Sequence, residues 1–144
     1  MSFVAEARRV IAASPDVCFA RLADFPSWAT WMPASFRPVS GPSRPLHVGD
    51  IVKVKIAGLP GLAVLRVVRA EPGRALAWQG GVRGLLDAVH AFHFTAQDGG
   101  TLVHSEETWT GALTGIGPIV RRVKTMAEGI GAAHLDGLAR SLAN

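Results

Sequence analysis

Between Leu86 and Thr110, two runs of β-forming residues flank Gln97-Asp98-Gly99-Gly100. Asp-Gly is a favoured pair for a two-residue hairpin turn, so the pattern predicts strands over Leu86–Ala96 and Thr101–Thr110. If Asp98-Gly99 is the turn, Gln97 faces Gly100 and every other pairing follows. Phe94 lies across from Val103, Phe92 from Ser105, His90 from Glu107, and Ala88 from Trp109. The other face pairs His93 with His104 and Ala91 with Glu106. The first face is the more aromatic and is assigned to the interior. A bulge in either strand would shift the register and separate His90 from Glu107.

A sheet with one apolar face needs a cover, and the residues after Gly111 supply it. Ile119, Val123, Met126, Ile130, His134, Leu138 and Leu142 recur at steps of three or four. They predict a helix over Pro118–Leu142, about 37 Å long at the usual rise per residue. Gly129, Gly131 and Gly137 weaken it by about 1 kcal/mol each relative to alanine. Packing must compensate, and small residues allow a sheet or a ligand to come close.

The first half of the chain reads as a strand, two short helices and further strands. Phe3–Ala12 is rich in β-formers. Ser14-Pro15-Asp16 has the form of a helix start, with Ser14 as cap and Pro15 in the first helical position. Val17, Cys18, Leu22 and Phe25 are expected on the inner side of that helix. Trp28 and Trp31 share a face of the second helix, which Pro33 ends. Phe36–Gly49 suggests an edge strand and a loop. In Asp50–Ala57, Val52, Val54 and Ile56 alternate with Lys53 and Lys55, as in a half-buried antiparallel strand. Gly58-Leu59-Pro60-Gly61 is a turn and Leu62–Glu71 another strand. After Glu71-Pro72-Gly73-Arg74, a short strand runs through Leu76 and Trp78, and Gly80, Gly81 and Gly84 suggest a loose loop.

Residues 1–144 have the length of one domain, and antiparallel strands with helices segregated to one face make it α+β. With 49% of residues apolar and only 18% charged, it has ample surface to bury. The net charge of +4 is scattered. Its densest cluster, Arg121, Arg122 and Lys124, falls on the outer face of the last helix, so no nucleic-acid partner is expected. No run has the length of a membrane span, and Met1–Arg9 lacks the apolar stretch of a signal peptide. A cytoplasmic protein without integral membrane association is expected. Cys18 is the only cysteine and reads as a small buried apolar residue. Phosphate-binding glycine loops, G-x-S-x-G elbows and H-E-x-x-H are all missing, and there is no tyrosine.

Several strings, in order, resemble the START-like, or SRPBCC, superfamily in its polyketide cyclase/dehydrase and lipid-transport branch. They are Ala13-Ser14-Pro15-Asp16-Val17 with Leu22-Ala23-Asp24-Phe25, then Trp28-Ala29-Thr30-Trp31-Met32-Pro33, and Val48-Gly49-Asp50. Glu71-Pro72-Gly73-Arg74-Ala75-Leu76-Ala77-Trp78 and Asp98-Gly99-Gly100-Thr101 complete the set. The resemblance implies a Bet v 1-like helix-grip fold: about six or seven antiparallel strands curled around the C-terminal helix, with a cavity between. The superfamily holds carriers, receptors and cyclases, so the fold does not select among them.

His90 and Glu107 are the candidate catalytic pair. A carboxylate beside an imidazole orients the ring and suits it to act as a base. The same pair could exist only because each group satisfies the other in an apolar interior. Trp78, Phe92, Phe94, Ser105, Trp109, Ile130 and His134 are the expected cavity residues, with Trp28 and Trp31 packing near its mouth. His93, His104 and Glu106 belong to the wet face. No cofactor is expected. Metal is not expected either, because His90, Glu107 and His134 follow no known ligand spacing. The leading function is binding of a hydrophobic lipid-like, polyketide-like or aromatic molecule. The alternatives are a cyclase or dehydratase using His90 and Glu107, and a protein-interaction module with a vestigial cavity. The oligomeric state is left open.

Overall fold

The computed structural model describes residues 2–143. The chain runs through β1 (Ser2–Ile11), α1 (Pro15–Ala23), a 3-10 turn (Phe25–Ser27), α2 (Trp28–Trp31), β2 (Phe36–Ser40) and β3 (Ile51–Ile56). It continues through β4 (Ala63–Glu71), β5 (Ala75–Val82), β6 (Leu86–Gln97) and β7 (Gly100–Thr110). A second 3-10 turn (Ala112–Gly115) leads into α3 (Gly117–Leu142). The strands form one antiparallel sheet in the order β1-β7-β6-β5-β4-β3-β2. This curved sheet wraps α3, the helix-grip arrangement.

The hairpin between β6 and β7 has the register that the turn residues dictate. Gln97 pairs with Gly100, His90 with Glu107, Phe92 with Ser105 and Ala88 with Trp109. Gly99 alone takes a left-handed φ, 73°, while Asp98 keeps a negative one. No bulge interrupts the hairpin, so Ala88, His90, Phe92 and Phe94 share the concave face with Val103, Ser105, Glu107 and Trp109.

Local chemistry sets the two short helices. Ser14 Oγ accepts the Val17 N–H at 3.2 Å, capping α1. Cys18, Phe19, Leu22 and Ala23 are buried, whereas Val17 is 48% exposed. Phe19 therefore takes the inner place expected of Val17, because a helix that starts at Pro15 turns position 17 outward. Trp28 is fully buried and donates its Nε1–H to the Leu22 carbonyl at 2.8 Å. It meets Phe25, Phe36 and Trp78. Burying each such aromatic or large aliphatic side chain contributes roughly 1.5–3 kcal/mol.

Helix α3 crosses the concave face over β1 and β7 and is tied down toward its C-terminal end. Arg9 pairs with Asp136, and Arg21 donates to the Ser141 carbonyl at 2.7 Å. Its buried residues are Ala127, Gly131, His134, Leu135, Gly137 and Leu138. The stripe anticipated from sequence is buried only toward the C-terminal end, while Ile119, Val123, Met126 and Ile130 are partly exposed. Arg121, Arg122 and Lys124 face outward. Gly80 and Gly81 lie within β5 instead of a loop. A β-carbon at Gly80 would stand 2.6 Å from Leu65 Cδ2, so glycine there admits the neighbouring strand's side chain.

Candidate functional site

A cavity of about 400 Å³ opens between the sheet and the first half of α3, within the ~300–1,000 Å³ span of small-molecule sites. Its wall is Trp78 and Gly80–Val82 from β5, Ala88 and His90 from β6, and Glu107 and Trp109 from β7. Met126 and Ile130 of α3 form the roof, and Phe36 of β2 adds an aromatic ring to the lining. The rim is the β3–β4 turn with its flanks: Ile56, Leu59, Pro60, Leu62, Ala63, Val64 and Leu65. Lys55 Nζ donates to the Leu59 carbonyl at 2.5 Å and to the Gly61 carbonyl at 3.1 Å, which fixes the turn. Leu59 and Leu62 nevertheless keep large exposed surfaces.

The polar corner of this apolar space is a hydrogen-bonded chain. His90 Nε2 lies 2.6 Å from Ser105 Oγ, and His90 Nδ1 lies 3.2 Å from Glu107 Oε2. Trp109 Nε1 donates to Glu107 Oε1 at 2.9 Å. Side-chain exposure is 3% for His90 and 18% for Glu107. The register places the two directly opposite; the concave face encloses the histidine and leaves the carboxylate partly open to the cavity.

The nine residues singled out from sequence divide sharply. His90, Glu107, Trp78, Trp109 and Ile130 line the cavity. Phe92, Phe94, Ser105 and His134 do not, and each has a different reason. Phe94 lies under α1, edge-on to Phe19. Phe92 is sealed between Trp78, His90 and His134. Ser105 sits beneath α3, where a β-carbon on Gly131 would be 3.2 Å from its Oγ. His134 is fully buried behind Phe36, Trp78 and His90, whose rings line the cavity. Trp28 and Trp31 also lie off the cavity, because Phe36 and Trp78 come between Trp28 and the space, and Trp31 packs against Gly137.

The residues that sequence reasoning missed are those of the rim, together with Phe36, Gly80–Val82, Ala88 and Met126. Two signals pointed there: the apolar turn Leu59-Pro60, which has no reason to be apolar if merely solvated, and the paired glycines at 80 and 81.

Burial pushes the His134 imidazole well below the usual histidine range, and the neighbouring His90 adds to this. Among the described residues, neither His134 nitrogen has a hydrogen-bond partner. Burial likewise raises the Cys18 thiol, opposed in part by Thr101, which suits a packed residue and not a nucleophile. His90, Glu107 and His134 do not bring three ligand atoms together. Among the described residues, the grouping that does is Glu6, His104 and Glu106 on the convex face, away from the cavity. There Glu6 already holds His104 at 2.8 Å.

A family model described as polyketide cyclase / dehydrase and lipid transport matches residues 2–143. No curated protein matches the sequence. Among solved structures, a protein from Mesorhizobium loti superposes with a TM-score of 0.73 at 19% identity, covering 97% of this chain and 96% of that one. Truncated norcoclaurine synthase from Thalictrum flavum gives 0.76 at 15% identity, covering 99% and 94%. The di-domain ARO/CYC protein BexL of the BE-7585A biosynthetic pathway gives 0.77 at 16% identity, covering 99% of this chain and 51% of that one. This chain thus spans about half of BexL, and at such identities the likeness is one of fold. With the family model matched from end to end of the described sheet and helix, the chain belongs to the polyketide cyclase/dehydrase and lipid transport family of the START-like superfamily.

Proposed function

We propose that this protein binds a hydrophobic small molecule, polyketide-like or otherwise aromatic, in the cavity between the sheet and α3. The carrying observation is an apolar space of about 400 Å³ with one polar corner, His90 and Glu107. Sites of this kind draw affinity from apolar contact and orientation from a few polar groups. An environment-sensitive naphthalene dye should bind with saturable one-to-one stoichiometry. Ile130→Trp, which fills the roof, should abolish that binding without unfolding the protein. Dye binding that is absent, or indifferent to the filled roof, returns the domain to a protein-interaction role.

A second reading, a cyclase- or dehydratase-type enzyme, is favoured by the assembly of His90, Glu107 and Ser105 into one chain. In that case Glu107→Gln lowers turnover of a polyketide substrate by orders of magnitude while leaving its affinity nearly intact.

A further inference from the structure

The hydrogen bonds of the polar corner assign unequal roles to its members. An ionised Glu107 can only accept, so His90 Nδ1 carries the proton shared with Oε2. Nε2 of the neutral ring then accepts from the Ser105 hydroxyl. If the ring is protonated, both nitrogens donate, to the same two partners. In either state neither nitrogen has a lone pair or proton left for a molecule in the cavity. Nε2 is shut off further, since Ser105 is 2% exposed and roofed by Gly131. Glu107 is different. Its two oxygens offer about four lone-pair directions, and His90 and Trp109 use one on each oxygen. The remaining directions belong to a side chain that lines the cavity.

We infer that Glu107 is the residue that grips the ligand, that His90 is a positioning residue holding it, and that the ligand is a hydroxylated aromatic molecule whose O–H donates to the carboxylate. This rests on the cavity reading proposed above. A free acceptor in an otherwise apolar space selects a donor, because a ligand without one strips water from the carboxylate and returns nothing. A neutral hydroxyl suits the space better than an ammonium group. Its transfer from water costs far less, and the walls add only the aromatic and aliphatic surface of Trp78, Trp109, Met126 and Ile130.

The test compares 2-naphthol with 2-methoxynaphthalene, matched in ring but not in donor, by isothermal titration calorimetry. The wild-type protein should bind the naphthol roughly tenfold more tightly or better, as for a hydrogen bond to a charged acceptor. Glu107→Gln should shrink that preference severalfold while leaving the ether's affinity in place. If the ether binds as tightly as the naphthol, the donor requirement is wrong and the cavity reading stands. If neither binds, both fall. A wild-type measurement covers the case in which the variant does not fold. Nitrogen-15 spectra should show a proton on His90 Nδ1, the nitrogen facing Glu107 Oε2. Adding 2-naphthol should move the Glu107 carboxyl carbon resonance and leave the His90 nitrogen pattern alone. A change of His90 tautomer on binding, with Glu107 still, would make the histidine the contacting group and overturn the assignment.

Discussion

The ring of His134 stands edge-on to Phe36, their centroids 4.4 Å apart and their planes at 89°. Trp78, Phe92 and His90 add to the enclosure, and both imidazole nitrogens lack a partner among the described residues. A polar ring is thus held in the core by packing. Leaving a buried polar group unsatisfied costs about 1–3 kcal/mol, and an aliphatic replacement of similar volume costs less than that in shape mismatch. His134→Leu should therefore stabilise the fold by about 1 kcal/mol in urea denaturation. A loss of similar size would show that the nitrogens are satisfied in solution.

The same residue sets an acid limit. Native His134 resists protonation because burial, and then the adjacent His90, push its pKa well below the usual range. The unfolded chain takes up that proton near pH ~6.5. Between these points the unfolded state holds more protons, so stability is complete above about pH 6.5 and falls as the pH drops. His90 is the titratable group in ring contact with His134 and remains in both proteins. Denaturation midpoints of wild type and His134→Leu should diverge as pH falls from about 7 to about 5. Parallel pH profiles would mean that His134 protonates normally in the fold.

What the sequence made legible was pairing; what it left hidden was covering. The Asp98-Gly99 turn and strict alternation place His90 opposite Glu107 with no knowledge of the rest of the chain. Whether an inward residue ends in the cavity depends on what lies above it, and that is a tertiary matter. Phe92, Phe94 and Ser105 share a face with His90 and Trp109, yet α1 covers Phe94 and α3 covers Ser105. The α3 stripe gave the helix and its inner side. It gave no hint that only the C-terminal end seats fully, which is why Met126 and Ile130 border open space and His134 does not.

Ser105 separates a positioning role from a ligand contact. Removing its hydroxyl leaves His90 Nε2 without a partner at a site where the ring is 3% exposed. Ser105→Ala should cost about 1–3 kcal/mol of stability. Because the hydroxyl lies under Gly131 and off the cavity wall, naphthol affinity should stay as it was, measured where both proteins are fully folded. Lost affinity with unchanged stability would place Ser105 in contact with the ligand.

The glycines of α3 offer the sharpest test of how the helix seats. All else equal, glycine to alanine inside a helix is worth about 1 kcal/mol of stability, so propensity alone treats Gly129 and Gly137 alike. Their surroundings differ. Among the described residues, a β-carbon at Gly129 meets nothing within 4 Å, whereas one at Gly137 would stand 2.6 Å from the Trp31 carbonyl oxygen. That oxygen belongs to backbone at the end of α2 and cannot swing aside as a flexible side chain could. Gly129→Ala should therefore raise stability by about 0.5–1 kcal/mol. Gly137→Ala should lower it by about 1–3 kcal/mol, the usual cost of forcing extra volume into a packed contact. Thermal denaturation of the two variants beside the wild type reads both signs at once. If Gly137→Ala proves as stabilising as Gly129→Ala, the C-terminal end of α3 does not sit against α2 as closely as the fold requires.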